Sequence, residues 1–454
     1  MTIDVLPDIA LLEIFDAYLS ESWDEPWVEA WHTLVHVCRK WRTIVFGSPR
    51  RLNLRLYCTA ITPVREMLDI WPPLHIVLSV FSGERWGMDN VFAALEHNDR
   101  ICDLTFYDVP SPQLENGLAA MQHPFPELKT LHLQARFKTM PVVPASFLGG
   151  SAPHLQRLFL DSIPFSGLPN LLLSATRLID LDLRGIPDSG YISPEAMSTC
   201  LSVLTRLESL VIEFESPRFL SDRESRRPPP QTRTLLPVLT KLQFKGVDEY
   251  LEYLLARIDV PLFNNLEITF FHRDIFYTPQ VTLFISRAPK FNARDTAYVY
   301  FSLIDVSVTI QQQTFDGDLK LGIFCEIPDQ QFSSVAQVCN SFFPQALIPA
   351  VEHLHIGWEG HSDWQAEGYF ENNRWLELLQ PFTAVKDLYI SLDFTLHIAS
   401  ALQELAGERV TDVLPALQTL FLELLPSGHV QEAIGQFVAS RQLSGHPVVI
   451  SLWE

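Results

Sequence analysis

The six residues Leu155-Gln156-Arg157-Leu158-Phe159-Leu160 are a clear copy of the pattern that decides the predicted fold. The pattern is an apolar residue, a leucine three positions later and a second apolar residue two positions after that. In its last three positions, here Leu158, Phe159 and Leu160, a variable residue lies between two apolar ones, as in a strand with one buried face. Further copies begin at Ile101, Leu128, Leu178, Leu207, Leu239, Phe263, Val351, Val385 and Leu417.

The spacing of these copies predicts how the chain is organised. Apart from the 88 residues between Leu266 and Leu354, the gaps between central leucines range from 23, after Leu158, to 34, after Leu354. Such periods are typical of leucine-rich repeats, in which each strand is followed by a returning helix. The predicted class is therefore α/β (α+β), with an irregular leucine-rich-repeat-like solenoid, a horseshoe, over residues 51–454.

Two parts of this region depart from the pattern. It weakens around residues 270–345, where Val306–Ile310 and Leu319–Phe324 flank an Asp-Gly-Asp turn and are predicted to form a β-hairpin or an irregular pair of strands. Residues 216–234 contain five arginines and three consecutive prolines, which exclude a helix or strand interior and predict a loop insertion. Either a solvated insertion or an exposed site for an anionic ligand or a modification fits this loop.

Residues 1–50 predict a small helical domain. Pro7 suits the first position of a helix, and Leu11, Ile14, Phe15, Tyr18 and Leu19 then form one apolar stripe. A second helical pattern runs from Trp27 to Val45 and is ended by Gly47 and Pro49. About fifty residues bury too little surface for comfortable stability, so these helices need a partner protein or serve as a cap on the following domain.

Two blocks of this head resemble an F-box. The first is the Leu6-Pro7 pair with Leu11, Leu12, Glu13, Ile14, Phe15, Tyr18 and Leu19, and the second is Val37 to Val45. The run from Trp31 to Leu56 is similar to fungal, basidiomycete-type F-box proteins with repeat-containing tails. The resemblance covers about fifty residues, and Ile9 departs from it because many F-boxes have an acidic residue there. An acidic stretch, residues 21–26, also lengthens the first connection.

The resemblance implies a partner, because F-boxes bind the Skp adaptor of cullin–RING ubiquitin ligases. Carried over position by position, it implies that eight residues contact the adaptor or support the contact. They are Leu6, Pro7, Ile9, Ile14, Leu34, Val37, Cys38 and Trp41.

A second interface is expected on the predicted horseshoe. The variable residue between the last two apolar positions of each copy faces the concave side, where a protein client would bind. The candidates are His132, Phe159, Asp182, Gln243, Glu267, His355, Tyr389 and Phe421. Aromatic residues are enriched at binding hot spots, although a neighbouring loop could also cover them.

Composition narrows the classes of partner. The net charge of −21, from 33 basic and 54 acidic residues, argues against a nucleic-acid partner, which needs a positive surface. No apolar run is long enough to cross a membrane, and the N-terminus lacks the basic residues of a secretory signal. Six scattered cysteines without a C-x-x-C pair predict free thiols in a reducing compartment, cytoplasmic or nuclear, and no metal site.

No catalytic or cofactor motif appears. The sequence contains no G-x-S-x-G, G-x-x-x-x-G-K-[ST], G-x-G-x-x-G or H-E-x-x-H motif, so neither catalysis nor a cofactor is expected. His353, His355 and His361 are close in sequence but have no nearby cysteine. The hypothesis is a non-catalytic substrate receptor of a Skp–cullin–F-box ubiquitin ligase. The alternatives are an F-box protein that acts without a ligase or an interaction scaffold whose head is a structural cap, with an enzyme as a more distant one.

Overall fold

The structure is a computed structural model that describes most of the chain. The described residues are 6–21, 30–81, 87–135, 142–144, 146–218, 233–273, 275–291, 294–311, 318–325, 328–341, 343, 347–359, 372–405, 409–424 and 428–453. The chain divides into two compact units. Unit 1 is Met1–Ile192 with Val203–Leu207, and unit 2 is Ser193–Ser202 with Glu208–Glu454.

Unit 1 begins with three helices, α1 (Asp8–Glu21), α2 (Ala30–Val37) and α3 (Arg39–Gly47). The second helical pattern of the sequence is therefore broken at Cys38. The backbone of Cys38 is extended, and its Sγ accepts a hydrogen bond from the Trp41 amide at 3.5 Å, which caps α3. Leu11 and Phe15 of α1 are buried, and the Phe15 ring lies 4.7 Å from that of Trp41. We call α1–α3 the head.

The rest of unit 1 is a parallel sheet with helical connections. Its strands are β1 (Arg55–Cys58), β2 (His75–Phe81), β3 (Ile101–Val109), β4 (Thr130–Ala135), β5 (Arg157–Asp161) and β6 (Asp180–Ile186). Its helices are α4 (Val64–Ile70), α5 (Met88–Leu95), α6 (Ser111–Ala120) and α7 (Leu168–Ser174). Consecutive strands pair in parallel, and the buried residues Leu104, Leu131, Leu158 and Leu181 align across β3–β6.

Unit 2 contains the remaining strands and helices. Its strands are β7 (Ser209–Phe214), β8 (Thr234–Leu235), β9 (Lys241–Gly246), β10 (Ile258–Asp259), β11 (Asn265–Phe271), β12 (Thr296–Phe301), β13 (Asp305–Gln311), β14 (Leu319–Phe324), β15 (His353–Trp358), β16 (Asp387–Ile390), β17 (Thr419–Leu422) and β18 (Val449–Leu452). Its helices are α8 (Pro194–Leu201), α9 (Asp248–Leu255), α10 (Pro279–Arg287), α11 (Pro328–Ser341), α12 (Asn372–Leu379), α13 (Leu392–Glu404) and α14 (His429–Leu443).

The strand order in unit 2 differs from the chain order. It runs β7, β9, β11, β14, β13, β12, β15, β16, β17, β18, while β8 and β10 form a separate parallel pair. The pairs that β13 makes with β12 and β14 are antiparallel. The antiparallel pairing of β13 with β14 confirms the two strands predicted as a hairpin within residues 270–345. Their connection at 312–317, and residues 219–232 of the predicted loop insertion, lie outside the described residues.

The predicted fold class is wrong. The structure is a mixed α/β protein in which each unit contains a mostly parallel sheet, not a small helical F-box followed by a leucine-rich-repeat-like solenoid. The leucine spacing did locate strands, since β3–β7, β9, β11 and β15–β17 all lie on copies of the pattern. Spacing along the chain does not determine which strands pair, because pairing depends on hydrogen bonds between distant residues. The predicted boundary at residue 50 stays a prediction.

The six cysteines are free thiols, as predicted. Five are buried, and Cys38 is half-buried. Burial raises the pKa of the Cys200 thiol to about 11 and that of Cys339 to about 12. These two side chains therefore remain neutral thiols at ordinary pH and act as small apolar core residues.

Candidate functional site

One candidate surface is the apolar part of the head that faces solvent. On α1, the side chains of Ile9 and Ile14 are 70% and 46% exposed, and on α2 that of Val37 is 53% exposed. Pro7, just before α1, is also exposed. Because α1 contacts both α2 and α3, these residues belong to one small helical body. Exposed apolar side chains on a small helical body are candidates for contact with a partner protein.

The other four residues implied by the F-box resemblance are covered to different degrees. Leu34 and Trp41 are buried, whereas Leu6 and Cys38 are half-buried. The Lys40 ammonium donates to the Leu6 carbonyl at 2.9 Å, which ties the chain before α1 to α3. The set therefore separates into exposed residues that can touch a partner and covered residues that hold the head together.

The head is attached to the rest of unit 1 through Trp31 and His32 on α2. The Trp31 indole N–H donates to the Arg55 carbonyl at 3.0 Å, and the Trp31 ring lies 5.2 Å from that of Trp71. The His32 ring stacks on Trp71 at 4.7 Å. Burial, followed by the charge of His36, lowers the pKa of His32 to about 4, so this imidazole is neutral at pH 7. The head has one face fixed by aromatic packing and apolar side chains exposed elsewhere.

The predicted client-binding residues lie on the sheets of both units and form a candidate surface in each. All eight are half-buried and alternate with buried residues along their strands. In unit 1 the structure brings three together, since His132, Phe159 and Asp182 occupy paired positions on β4, β5 and β6. The His132 and Phe159 rings are 4.0 Å apart, and Asp182 accepts two hydrogen bonds from Arg184 at 2.9 and 3.1 Å.

In unit 2 three of the predicted residues form part of a continuous stack of rings. His355, Tyr389 and Phe421 occupy paired positions on β15, β16 and β17, with centroids 4.0 and 4.3 Å apart and planes within 8°. Tyr298 of β12 extends the stack, 4.5 Å from His355. We call Tyr298, His355, Tyr389 and Phe421 the aromatic ladder. The other two predicted residues, Gln243 and Glu267, are paired neighbours on β9 and β11.

Three aromatic residues of this surface were not predicted from the sequence. Tyr298 and Tyr300 lie on β12, which has no copy of the leucine pattern, and their rings stack at 5.8 Å. Trp453 packs edge-on against His355 and Tyr389 at 6.3 and 6.0 Å. A period-two alternation was present in the sequence of β12, where buried Ala297, Val299 and Phe301 flank the two tyrosines.

A cavity of about 270 Å³ adjoins the aromatic ladder. Tyr298 contributes to both, and the cavity also contacts Lys241, Asn265, Leu266, Glu267, Tyr300, Thr309, Gln311, Asp318, Lys320 and Glu359. The Lys320 ammonium lies between two carboxylates, 3.6 Å from Glu267 and 3.9 Å from Glu359. We call this the ladder cavity.

The local environment shifts the titration of the ladder. Burial, followed by the charge of His353, lowers the pKa of His355 to about 4, which keeps its ring neutral at pH 7. Burial, and then Tyr298 and Glu359, raise the pKa of Tyr300. Burial likewise raises the pKa of Tyr389, with Asp387 as the next cause. The ladder is thus a half-buried aromatic surface whose His355 is neutral at pH 7, beside a cavity lined by charged side chains.

Comparisons with known proteins assign no family. No family model matches the chain, and no curated protein matches it. In the part of the chain that the structure describes, no helix is both long and apolar enough to cross a membrane. Within those same ranges no group of three or more histidine, cysteine, aspartate or glutamate side chains could hold a metal ion, and His361 lies outside them.

Proposed function

We propose that this chain is a substrate-receptor subunit of a Skp–cullin–F-box ubiquitin ligase. The head binds a Skp-type adaptor and the exposed face of the sheet binds a protein client, in the cytoplasm or nucleus. The observation that carries the proposal is the exposure of Ile9, Ile14 and Val37 on helices that resemble an F-box in sequence.

The exposed side chains supply part of the free energy of a specific contact. Complete burial of one such side chain contributes about 1.5–3 kcal/mol, and these three are roughly half exposed, so together they contribute on the order of 3–5 kcal/mol. A micromolar complex needs about 8 kcal/mol. A complex of this affinity therefore requires further contacts, to which the exposed Pro7 can contribute.

The chain contributes to ubiquitin transfer by proximity. An adaptor held by the head connects the chain to a cullin–RING ligase, while a client held by the sheet face is kept near the charged conjugating enzyme. Tethering raises the effective concentration of the reacting groups without a catalytic side chain on the receptor.

The test is co-purification of the full chain with a Skp-type adaptor. The variant Ile9→Asp/Val37→Asp places two charges on the exposed apolar residues, and we expect adaptor recovery to fall at least about tenfold, which corresponds to about 1.4 kcal/mol. The matched control is Leu443→Asp on α14, which changes a leucine that is 90% exposed. Circular dichroism establishes that all three proteins are folded.

The comparison has clear outcomes. Loss of adaptor from the head variant alone supports the proposal. Equal recovery by wild type and the head variant, or no recovery by either, contradicts it.

A second candidate function is an interaction scaffold whose head is a structural cap. The packing of Trp31 and His32 on Trp71 favours it, because a cap needs this attachment. The scaffold hypothesis predicts that deleting residues 1–47 destabilises the protein and that no adaptor is retained by the wild type. The receptor hypothesis predicts that the wild type retains adaptor.

A further inference from the structure

We infer that the ladder cavity holds the basic side chain of an extended client peptide, whose neighbouring apolar residues lie along the aromatic ladder. This inference concerns the client-binding half of the proposed function and rests on it. All the residues involved belong to unit 2.

The size of the ladder cavity suits one long side chain. Its volume of about 270 Å³ is below the range of roughly 300–1,000 Å³ that is usual for drug-sized ligands. Tyr298 and Tyr300 form an aromatic wall, and Glu267 and Glu359 supply carboxylates. Aromatic rings combined with carboxylates are the groups that bind ammonium and guanidinium ions in proteins.

Charge in the cavity also favours a cation. Lys320 is shared by Glu267 and Glu359 at 3.6 and 3.9 Å, distances longer than a charge-assisted hydrogen bond of about 2.7–2.9 Å. Lys241 and Asp318 add opposite charges, and Asp318 also attracts the buried Arg294. Two carboxylates around one ammonium therefore leave acceptor capacity for a second cation. The net charge of −21 adds a long-range attraction for basic partners.

The aromatic ladder is the surface on which the apolar residues of the peptide bind. Because its rings stack face to face, a ligand meets a strip of ring edges, which carries polar atoms at Tyr298, His355 and Tyr389 and is joined by Trp453. The strip crosses four strands, β12, β15, β16 and β17, which spans about three strand spacings or roughly 14 Å. An extended peptide covers this distance with about four residues. The expected ligand has an arginine or lysine at one end of about four largely apolar residues.

Binding is tested with the full chain and a library of fluorescent peptides about eight residues long. One position is fixed as arginine, glutamine or phosphoserine, and the adjoining positions are either apolar or serine. We expect the arginine peptides with apolar neighbours to bind most tightly. Replacing arginine by glutamine is expected to weaken binding about tenfold.

Two variants of the cavity give opposite expectations. Glu267→Gln/Glu359→Gln removes the carboxylates and should weaken arginine-peptide binding about tenfold. Lys320→Met removes the competing ammonium and should strengthen arginine-peptide binding. If the cavity were an anion site, the same variant would instead weaken the binding of phosphoserine peptides. The control Glu66→Gln/Glu115→Gln removes the same net charge from exposed positions on α4 and α6. It should change the affinity by less than about twofold.

Several results overturn the inference. These are preferential binding of phosphoserine peptides, equal losses in the cavity and control variants, weaker binding by Lys320→Met, and no binding of any peptide. Recovery of the adaptor distinguishes a failure of the peptide-binding inference from a failure of the proposed receptor function. The Glu267/Glu359 variant should keep the adaptor, and the Ile9/Val37 variant should keep the peptide.

Discussion

The rings of Tyr389 and Phe421 stack with centroids 4.3 Å apart and planes 4° apart. They occupy paired positions on the parallel strands β16 and β17, so their separation is close to the usual strand spacing of about 4.8 Å. The stack is therefore produced by the register of strand pairing.

This stack predicts a measurable coupling between the two residues. A double-mutant cycle with Tyr389→Ala and Phe421→Ala should give an interaction energy of about 0.5–1.5 kcal/mol in urea unfolding. Phe421→Ala combined with Leu443→Ala is the control, and its effects should add within about 0.5 kcal/mol. Additivity in the Tyr389/Phe421 cycle would show that the stack contributes no stability of its own.

Trp41 and Val37 should differ sharply in their effect on stability. Trp41 is buried and packs on Phe15 at 4.7 Å, so Trp41→Ala should lower the free energy of unfolding by about 3–5 kcal/mol. Val37 is exposed, so Val37→Ala should change it by less than about 0.5 kcal/mol. Urea unfolding measures both, and similar losses would contradict the assignment of Trp41 as support and Val37 as contact surface.

The buried Arg441 should be important for stability in unit 2. Its guanidinium donates to the carbonyls of Val410, Pro415 and Leu417 at 3.2, 3.3 and 3.0 Å. Arg441→Met leaves these acceptors without their donor and should cost about 2–4 kcal/mol in urea unfolding. Arg374→Met, at an exposed position on α12, should cost less than about 1 kcal/mol. An Arg441→Met protein as stable as wild type refutes this prediction.

Glu252 should make stability decrease as the pH rises. Its carboxyl group accepts hydrogen bonds from the amides of Gln280 and Val281 at 2.9 Å each. Burial outweighs these bonds and raises the pKa from 4.5 to about 7. The folded chain thus binds this proton more tightly than the unfolded chain, and the resulting stability is lost as the pH rises from 4.5 to about 7.

The comparison protein for this prediction is Glu252→Gln, whose side-chain amide stays neutral at every pH. In urea unfolding, its stability relative to wild type should increase as the pH rises from 4.5 to about 7. A difference that does not change with pH would show that Glu252 titrates normally in the folded protein.

His355 should have the opposite pH dependence. Its pKa is lowered from 6.5 to about 4, so the unfolded chain binds the proton more tightly and stability is lost as the pH falls through this interval. His355→Gln should lose less stability than wild type between these pH values. The exposed His123 provides the control variant, His123→Gln, which should follow the wild type. Parallel curves for wild type and His355→Gln would contradict the prediction.

Local features of this fold were predictable from the sequence. Leu131, Leu158 and Leu181 marked strands correctly, because alternation along a strand is a short-range property. The first helix and the antiparallel pair β13–β14 were also recognised. The residues between the leucines were correctly expected to alternate with buried positions, which brought His355, Tyr389 and Phe421 into the candidate site.

Other features of the site required the tertiary structure. The residue pattern of β12 does not reveal that it pairs with β15, which places Tyr298 against His355. Nor does it reveal that β13 lies between β12 and β14, which brings Thr309 and Lys320 to the ladder cavity. The same limitation produced the wrong fold class.

The sequence by itself determined where β3–β7, β9, β11 and β13–β17 lie, which of their residues are buried, and which head residues resemble an adaptor-binding motif. The tertiary structure decided how the strands pair within each unit and which half-buried side chains become neighbours. It also decided that Ile9 and Val37 face solvent while Leu34 and Trp41 do not. The physical reason is that alternation and helical periodicity arise from adjacent residues, whereas pairing and exposure depend on contacts between residues far apart in the chain.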